Sequence, residues 1–379
     1  MPRWQGAQSW DNTQERKDAQ KLPWKEFHER WPDRSQYACQ TFRRDLKRGK
    51  RKPEGIAADS PIPPGVEWAP PITQDEERIA LKGKRGPSKL TLAFGDTQFG
   101  DEGHLYECWQ ECCAESVALA KRVQPAEIEM MCVGDLASGR GIYRNQELRN
   151  ILPLAQPHVL WGCWEIAAWI GELRKACPKA RIVGKNVIGN HDLAMGENLA
   201  LMVHFVMQIL GQEWKFCGRQ ALINAAAEGP GGAPYMLQAE HGYGHSSYYA
   251  NSYQQIRGVK DDLLSKDRQL PGEQLIHRVV CGHTHWLNIG YHLARGRFLD
   301  TVGGFQRQER LSLPPSGRPV GFIAYVHDGQ TLTVRAIRPR DETVDRLEND
   351  QALDLRNGLV AYQQLFKLRD VLHEKGLVA

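Results

Sequence analysis

The chain has 379 residues, 41% of them hydrophobic and 25% charged, and carries a net charge of +4. That length allows two domains, or one large domain with appendages, and the composition is that of an ordinary soluble globular protein. No run approaches the roughly 18 apolar residues of a membrane helix, and Met1-Pro2-Arg3-Trp4-Gln5 lacks the apolar core of a secretory signal, so a cytoplasmic protein with no membrane partner is expected.

Residues 1–52 hold 14 Lys/Arg against 7 Asp/Glu, a balance of +7 that leaves −3 for the rest of the chain. Trp24, Phe27 and Trp31 share one helical face. Pro32-Asp33-Arg34-Ser35 forms a turn with Ser35 as N-cap, and Tyr37, Ala38, Phe42 and Leu46 give a second apolar stripe. Arg34, Arg43, Arg44, Lys47 and Arg48 are the basic residues of this region. A short turn followed by a basic helix is what a groove reader needs. The segment Leu22–Ser35, with Ala38 and Phe42-Arg43-Arg44 after it, resembles a Myb/SANT-type helix-turn-helix, which implies nucleic acid as partner. A solvated tail or a small protein-interaction module are the other readings.

Residues 53–88, rich in proline, glycine and charge, are expected to be an extended linker. From Leu90 onward short apolar strands alternate with longer helices. The predicted strands are Leu90–Phe94, Ile128–Val133, Arg181–Ile188, Tyr235–Ala239 and Arg278–Cys281, and the predicted helices span 104–123, 145–175, 197–211 and 251–267. The apolar window Leu160–Ile170, broken by Glu165, reads as a buried amphipathic helix. Trp161, Trp164 and Trp169 share one face of it, a core stripe or the face of a homodimer. Gly321–Val326 and Thr331–Ile337 pair across His327-Asp328-Gly329-Gln330 as a hairpin, and 345–376 is helical. Nine cysteines form neither a CxxC pair nor a spaced framework and read as reduced thiols.

The chemistry lies at the strand ends. Strands run into Gly95-Asp96-Thr97-Gln98, Gly134-Asp135, Gly189-Asn190-His191-Asp192, Glu240-His241-Gly242 and Gly282-His283-Thr284-His285. Ligands of α/β sheets sit at the carboxyl ends of strands, so five strands would deliver carboxylate, amide and imidazole groups to one edge. Oxygen and imidazole donors suit divalent Mn, Fe, Zn or Ni. The set is too large for one ion and fits two, about 3.5–4 Å apart, the usual clamp for attack on phosphorus.

These blocks, in this order over residues 91–286, resemble the calcineurin-like metallophosphoesterase superfamily, whose pattern is D-x-H, G-D, G-N-H-D/E, H and G-H-x-H. The resemblance implies a four-layer α/β/β/α sandwich over 89–340, with 341–379 as a helical tail. It implies that Asp96, Gln98 and His285 hold one ion, that Asn190, His241 and His283 hold the other, and that Asp135 bridges them. It implies that His191 acts on the phosphoryl group or the leaving oxygen, with Asp192 orienting it, and that a hydroxide activated between the ions attacks phosphorus. Gln98 stands where the family has histidine. Its neutral amide is the weaker ligand, which favours a harder ion, Mn or Mg. Arg140, after the bridging carboxylate, either meets a substrate phosphate or faces solvent. The basic head points to nucleic acid, and the layout resembles the superfamily's DNA-repair nucleases and phosphoesterases encoded by phages or prophages. A phosphatase of nucleotides, phosphoprotein or other small phosphoesters, and a non-catalytic nucleic-acid-binding protein, are the alternatives.

Overall fold

The chain divides into two compact units, Met1–Pro70 and Pro71–Ala379. The computed structural model describes residues 18, 21–30, 76–81, 88–139, 150–151, 154–196, 198–226, 234–242, 276–283, 285, 287–294, 297–307 and 320–378. In the first unit this covers one helix, α1 (Trp24–Arg30), in which Phe27 is fully buried and Arg30 pairs with Asp18 at 3.0 Å. The turn and second helix expected there, with Arg34, Arg43, Arg44, Lys47 and Arg48, lie outside the described residues, as do Arg140 and the predicted helix 251–267.

The second unit runs in chain order β1 (Glu76–Ala80), β2 (Lys89–Phe94), α2 (Tyr106–Val123), β3 (Glu127–Cys132), α3 (Ala155–Ala176), β4 (Arg181–Asn186), a 3-10 turn (His191–Gly196), α4 (Leu199–Ile209), β5 (Trp214–Phe216), β6 (Gln220–Ala226), β7 (Tyr235–Glu240), β8 (Ile276–Cys281), β9 (Asn288–Ala294), β10 (Arg297–Thr301), β11 (Phe322–His327), β12 (Thr331–Ile337), α5 (Asp341–Glu348) and α6 (Leu353–Glu374). One sheet has seven strands in the order β1-β12-β11-β2-β3-β4-β5, and the other has five in the order β6-β7-β8-β10-β9. Strands β2, β3, β4 and β5 are mutually parallel, as are β7, β8 and β10.

The seven-stranded sheet is covered on both faces, which is why β2, β3 and β11 are buried along almost their whole length. Side chains alternate across a strand. Leu90, Leu92, Phe94, Ile128, Met130, Cys132, Phe322 and Ala324 join a core with α2, α3 and α4. Ala93, Met131, Val133, Ile323, Tyr325, Leu332 and Val334 join a second core with Ile223, Leu237, Ala239 and Val280 of the smaller sheet. The chain is therefore a mixed α/β unit of helices, sheet and sheet.

The tryptophan stripe belongs to the core. Trp161 is fully buried and Trp169 is stacked on Phe322 at 5.2 Å, within a cluster that includes Phe94, Trp109 and Phe305. Each such ring pair adds about 0.5–1.5 kcal/mol beyond its buried area. Glu165 is accommodated inside this continuous helix because Tyr106 Oη and Trp161 Nε1 donate to its carboxylate at 2.8 and 3.2 Å, although burial still raises its carboxyl.

Three boundaries differ from expectation. The segment taken as linker contains β1, whose residues pair antiparallel with β12. Glu77 on β1 pairs with the fully buried Arg278, which also reaches Asp300 at 3.2 Å, while Tyr325 Oη donates to Asp300 at 2.7 Å. That buried network joins both sheets, and a half-broken buried ion pair is costly, so β1 is held as part of the fold. The helix expected over 145–175 spans Ala155–Ala176. The helical tail is two helices, α5 and α6, separated where Asp350 Oδ1 accepts from Ala352 N at 2.9 Å. Both pack into the helix-side core through Val344, Leu347, Leu353, Ala361 and Leu368.

Candidate metal centre

Asp96 and Gln98 follow β2, Asp135 follows β3, Asn190 and His191 follow β4, His241 follows β7, and His283 and His285 follow β8. Within each sheet these strands are parallel neighbours, so their carboxyl ends share an edge. The turns are sterically tight. A Cβ on Gly189 would lie 1.9 Å from Asp135 Oδ1, and one on Gly304 would lie 2.4 Å from His285 Nδ1. Among the described residues six non-glycine residues have positive φ, and five of them are expected ligands: Asp96 (48°), Gln98 (52°), Asp135 (52°), His283 (71°) and His285 (55°). Left-handed backbone at non-glycine residues is unfavourable and collects at functional sites.

The side chains converge. Ligand atoms of Asp96, Asp135 and His241, all buried, lie within 4.8 Å of one another and could hold a metal ion. Asn190 Oδ1 is 2.8 Å from His241 Nε2 and 2.8 Å from His283 Nδ1. Asp135 Oδ2 is 3.1 Å from His241 Nε2 and 3.4 Å from Gln98 Nε2. His285 Nε2 is 3.7 Å from Asp96 Oδ1. The backbone N–H of His283 donates to Asp96 Oδ2 at 2.7 Å, while Asp96 Oδ1 and Gln98 Oε1 are buried with no hydrogen-bond partner. Buried acceptors are rarely left unpaired, and two of them beside carboxylates and imidazoles suit a cation.

The electrostatics say the same. Burial pushes the Asp96 carboxyl up to about 8, against the attraction of His241. Burial would also raise Asp135, but the facing imidazoles of His241 and His191 outweigh it and hold the carboxyl below its ordinary range. Burial lowers His241, yet Asp135 draws it up to about 10, whereas burial leaves His285 down at about 3. Buried groups pushed in opposite directions within one cluster titrate together, a pattern that collects at functional sites.

His191 Nε2 lies 3.9 Å from Asp135 Oδ2, and its Nδ1 meets the carbonyl of Ser138 at 2.6 Å. That carbonyl, rather than Asp192, orients the ring. Asp192 Oδ2 instead accepts from Gly189 N at 2.7 Å and Asp135 N at 3.2 Å, so its carboxylate is spent on closing two turns. The sequence reading did not include Ser138, Asn150 or Asn357. Asn150 fixes the loop behind His191, accepting from Ser138 Oγ at 3.0 Å and donating to Gly139 O at 2.7 Å. Asn357 donates to the carbonyls of Glu102 and His104, in the loop that follows Gln98. Roles played by or through backbone carbonyls leave no side-chain pattern to find. His104 and His158, outside this cluster, are buried core residues.

No family model matches the chain, and no curated protein matches it. Among solved structures, the Thermus thermophilus sulfate thiohydrolase SoxB in complex with glycerol is 11% identical with a TM-score of 0.29, over 73% of this chain and 61% of that one. Another solved structure is 10% identical with a TM-score of 0.28, over 66% of this chain and 99% of that one. Likenesses this distant carry no argument about chemistry, which rests on the residues gathered at the strand ends.

Proposed function

We propose that this chain is a dinuclear-metal phosphoester hydrolase with a four-layer α/β/β/α sandwich, and that its substrate is a nucleic-acid phosphodiester. The observation that carries this reading is the buried convergence of Asp96, Asp135 and His241 within 4.8 Å, next to the unpaired acceptors Asp96 Oδ1 and Gln98 Oε1. Asp96, Gln98 and His285 would hold one ion, Asn190, His241 and His283 the other, and Asp135 both. When bound, two divalent ions, Mn foremost, supply Lewis acidity and an activated water at phosphorus. The protein's own part is orientation and proton handling. Asp192 and the glycine turns keep Asp135 in place. His191, its Nδ1 held by Ser138 O, turns its Nε2 edge toward Asp135, where the ring would balance phosphoryl charge and give a proton to the leaving oxygen.

Nucleic acid is favoured over small phosphoesters by the +7 balance of residues 1–52, because phosphate contacts by Lys and Arg dominate such binding. The test uses the full chain loaded in turn with Mn, Mg, Zn and Ni. Metal content is measured alongside hydrolysis of bis-p-nitrophenyl phosphate and of labelled single- and double-stranded DNA and RNA. Removing residues 1–70, the first compact unit, is expected to abolish nucleic-acid cleavage and spare the small diester. Two bound equivalents without any hydrolysis would sink the enzyme reading. Hydrolysis of the small diester with no binding or cutting of DNA or RNA would sink the nuclease reading alone.

A further inference from the structure

Helix α6 has two apolar faces. One packs into the core through Leu353, Ala361 and Leu368. On the other, Leu355, Leu359, Tyr362 and Phe366 are 80%, 61%, 51% and 55% exposed. Their spacing of four, three and four is that of a coiled-coil seam. It also reads identically in both directions along the helix. A second copy turned about a two-fold axis therefore sets Leu355 against Phe366 and Leu359 against Tyr362, in the self-complementary manner an isologous contact requires.

We propose that this face of α6 is the interface of a homodimer, formed by antiparallel pairing with α6 of a second copy. The four side chains present on the order of 400 Å² of apolar surface, as large as the biggest patch of a typical monomer and often functional. Pairing two such faces buries about 800 Å², and the stems of Arg356, Gln363 and Arg369 alongside bring the total toward the roughly 1,200 Å² of a specific interface. Gly358 and Gln363, which flank the middle of the seam, are uncharged, so no charge is desolvated at its centre. The guanidinium of Arg369 sits over the Phe366 ring at 5.1 Å and covers the seam's end. A second copy is favoured over an unrelated partner because the spacing matches itself. The inference is independent of the chemistry proposed above.

The experiment is sedimentation velocity on the full chain at micromolar concentration, with circular dichroism to verify folding. Wild type is expected to be a dimer. Leu359→Glu and Tyr362→Lys are each expected to be monomeric with unchanged thermal transitions. An equimolar mixture of the two is expected to be dimeric again, since Glu at 359 of one copy meets Lys at 362 of the other. A monomeric wild type overturns the proposal, including the case in which this chain's own first unit covers the face. A dimer that survives Leu359→Glu overturns it as well. Monomeric variants whose mixture stays monomeric overturn the antiparallel register.

Discussion

Replacing Asp192 with alanine removes an acceptor on which two turns of the metal centre depend. Its Oδ2 takes the N–H of Gly189 at 2.7 Å and of Asp135 at 3.2 Å, and the residue is 2% exposed. Each buried N–H left without a partner costs about 1–3 kcal/mol, so the pair loses about 2–6 kcal/mol. Losing the carboxyl itself offsets part of this, because Oδ1 is buried without a partner and burial already raises the group to about 7. The low end, about 2–3 kcal/mol, is therefore expected, and at about 2 °C per kcal/mol for a unit this large the melting temperature falls by about 4–6 °C. The assay is a thermal scan by circular dichroism on EDTA-treated protein, which keeps metal release out of the transition. Asp192→Asn retains an acceptor oxygen and is expected to melt near wild type. If Asp192→Ala melts within about 1 °C of wild type, or if Asp192→Asn falls as far as the alanine variant, the acceptor role is wrong.

His191→Ala should lower turnover on bis-p-nitrophenyl phosphate by about 10²–10⁴ while metal content stays at the wild-type level, and full activity would refute its role as acid. Gln98→His should tighten Mn binding by isothermal titration, whereas unchanged affinity would mean that Gln98 is not a ligand. His104 supplies a pH prediction. Burial holds its imidazole down at about 3, against the carbonyl of Phe305. The unfolded chain takes up a proton near 6.5 and the folded chain does not, so stability is complete above that pH and falls as the pH drops toward 3. The slope is about 1.4 kcal/mol per pH unit, and urea titrations from pH 7 to 4 should show it reduced by one proton in His104→Phe. An unreduced slope would show that His104 titrates normally.

The strand-end groups that the structure brings together, Asp96, Asp135 and His241 among them, were legible because strand-to-loop turns leave a double mark, a glycine where backbones crowd and a polar residue where the chain turns outward. Gly189-Asn190-His191 carries both marks, and the structure explains the first by the contact a Cβ would make with Asp135. β1 was hidden because Glu76-Glu77-Arg78 looks like linker; edge strands carry charge, and Glu77 is inward only because Arg278 meets it from the other sheet. β5 is three residues long and offers no period to read. Asp192 was misread for a different reason. Sequence adjacency to His191 suggested a partner, but the 3-10 turn at His191–Gly196 sends its carboxylate back to the N–H groups of Gly189 and Asp135.

The left-handed backbone at Asp96, Gln98, Asp135, His283 and His285 sets stability against the activity proposed for this protein. Each such residue costs the folded state about 1 kcal/mol that a glycine would not incur. Selection for thermostability alone would therefore act against these residues, since Gln98→Gly is expected to raise the melting temperature of the metal-free protein as it removes a side chain proposed as a ligand. A library sorted for folding and then for hydrolysis should separate at these five positions, with survivors of the first sort depleted in the second.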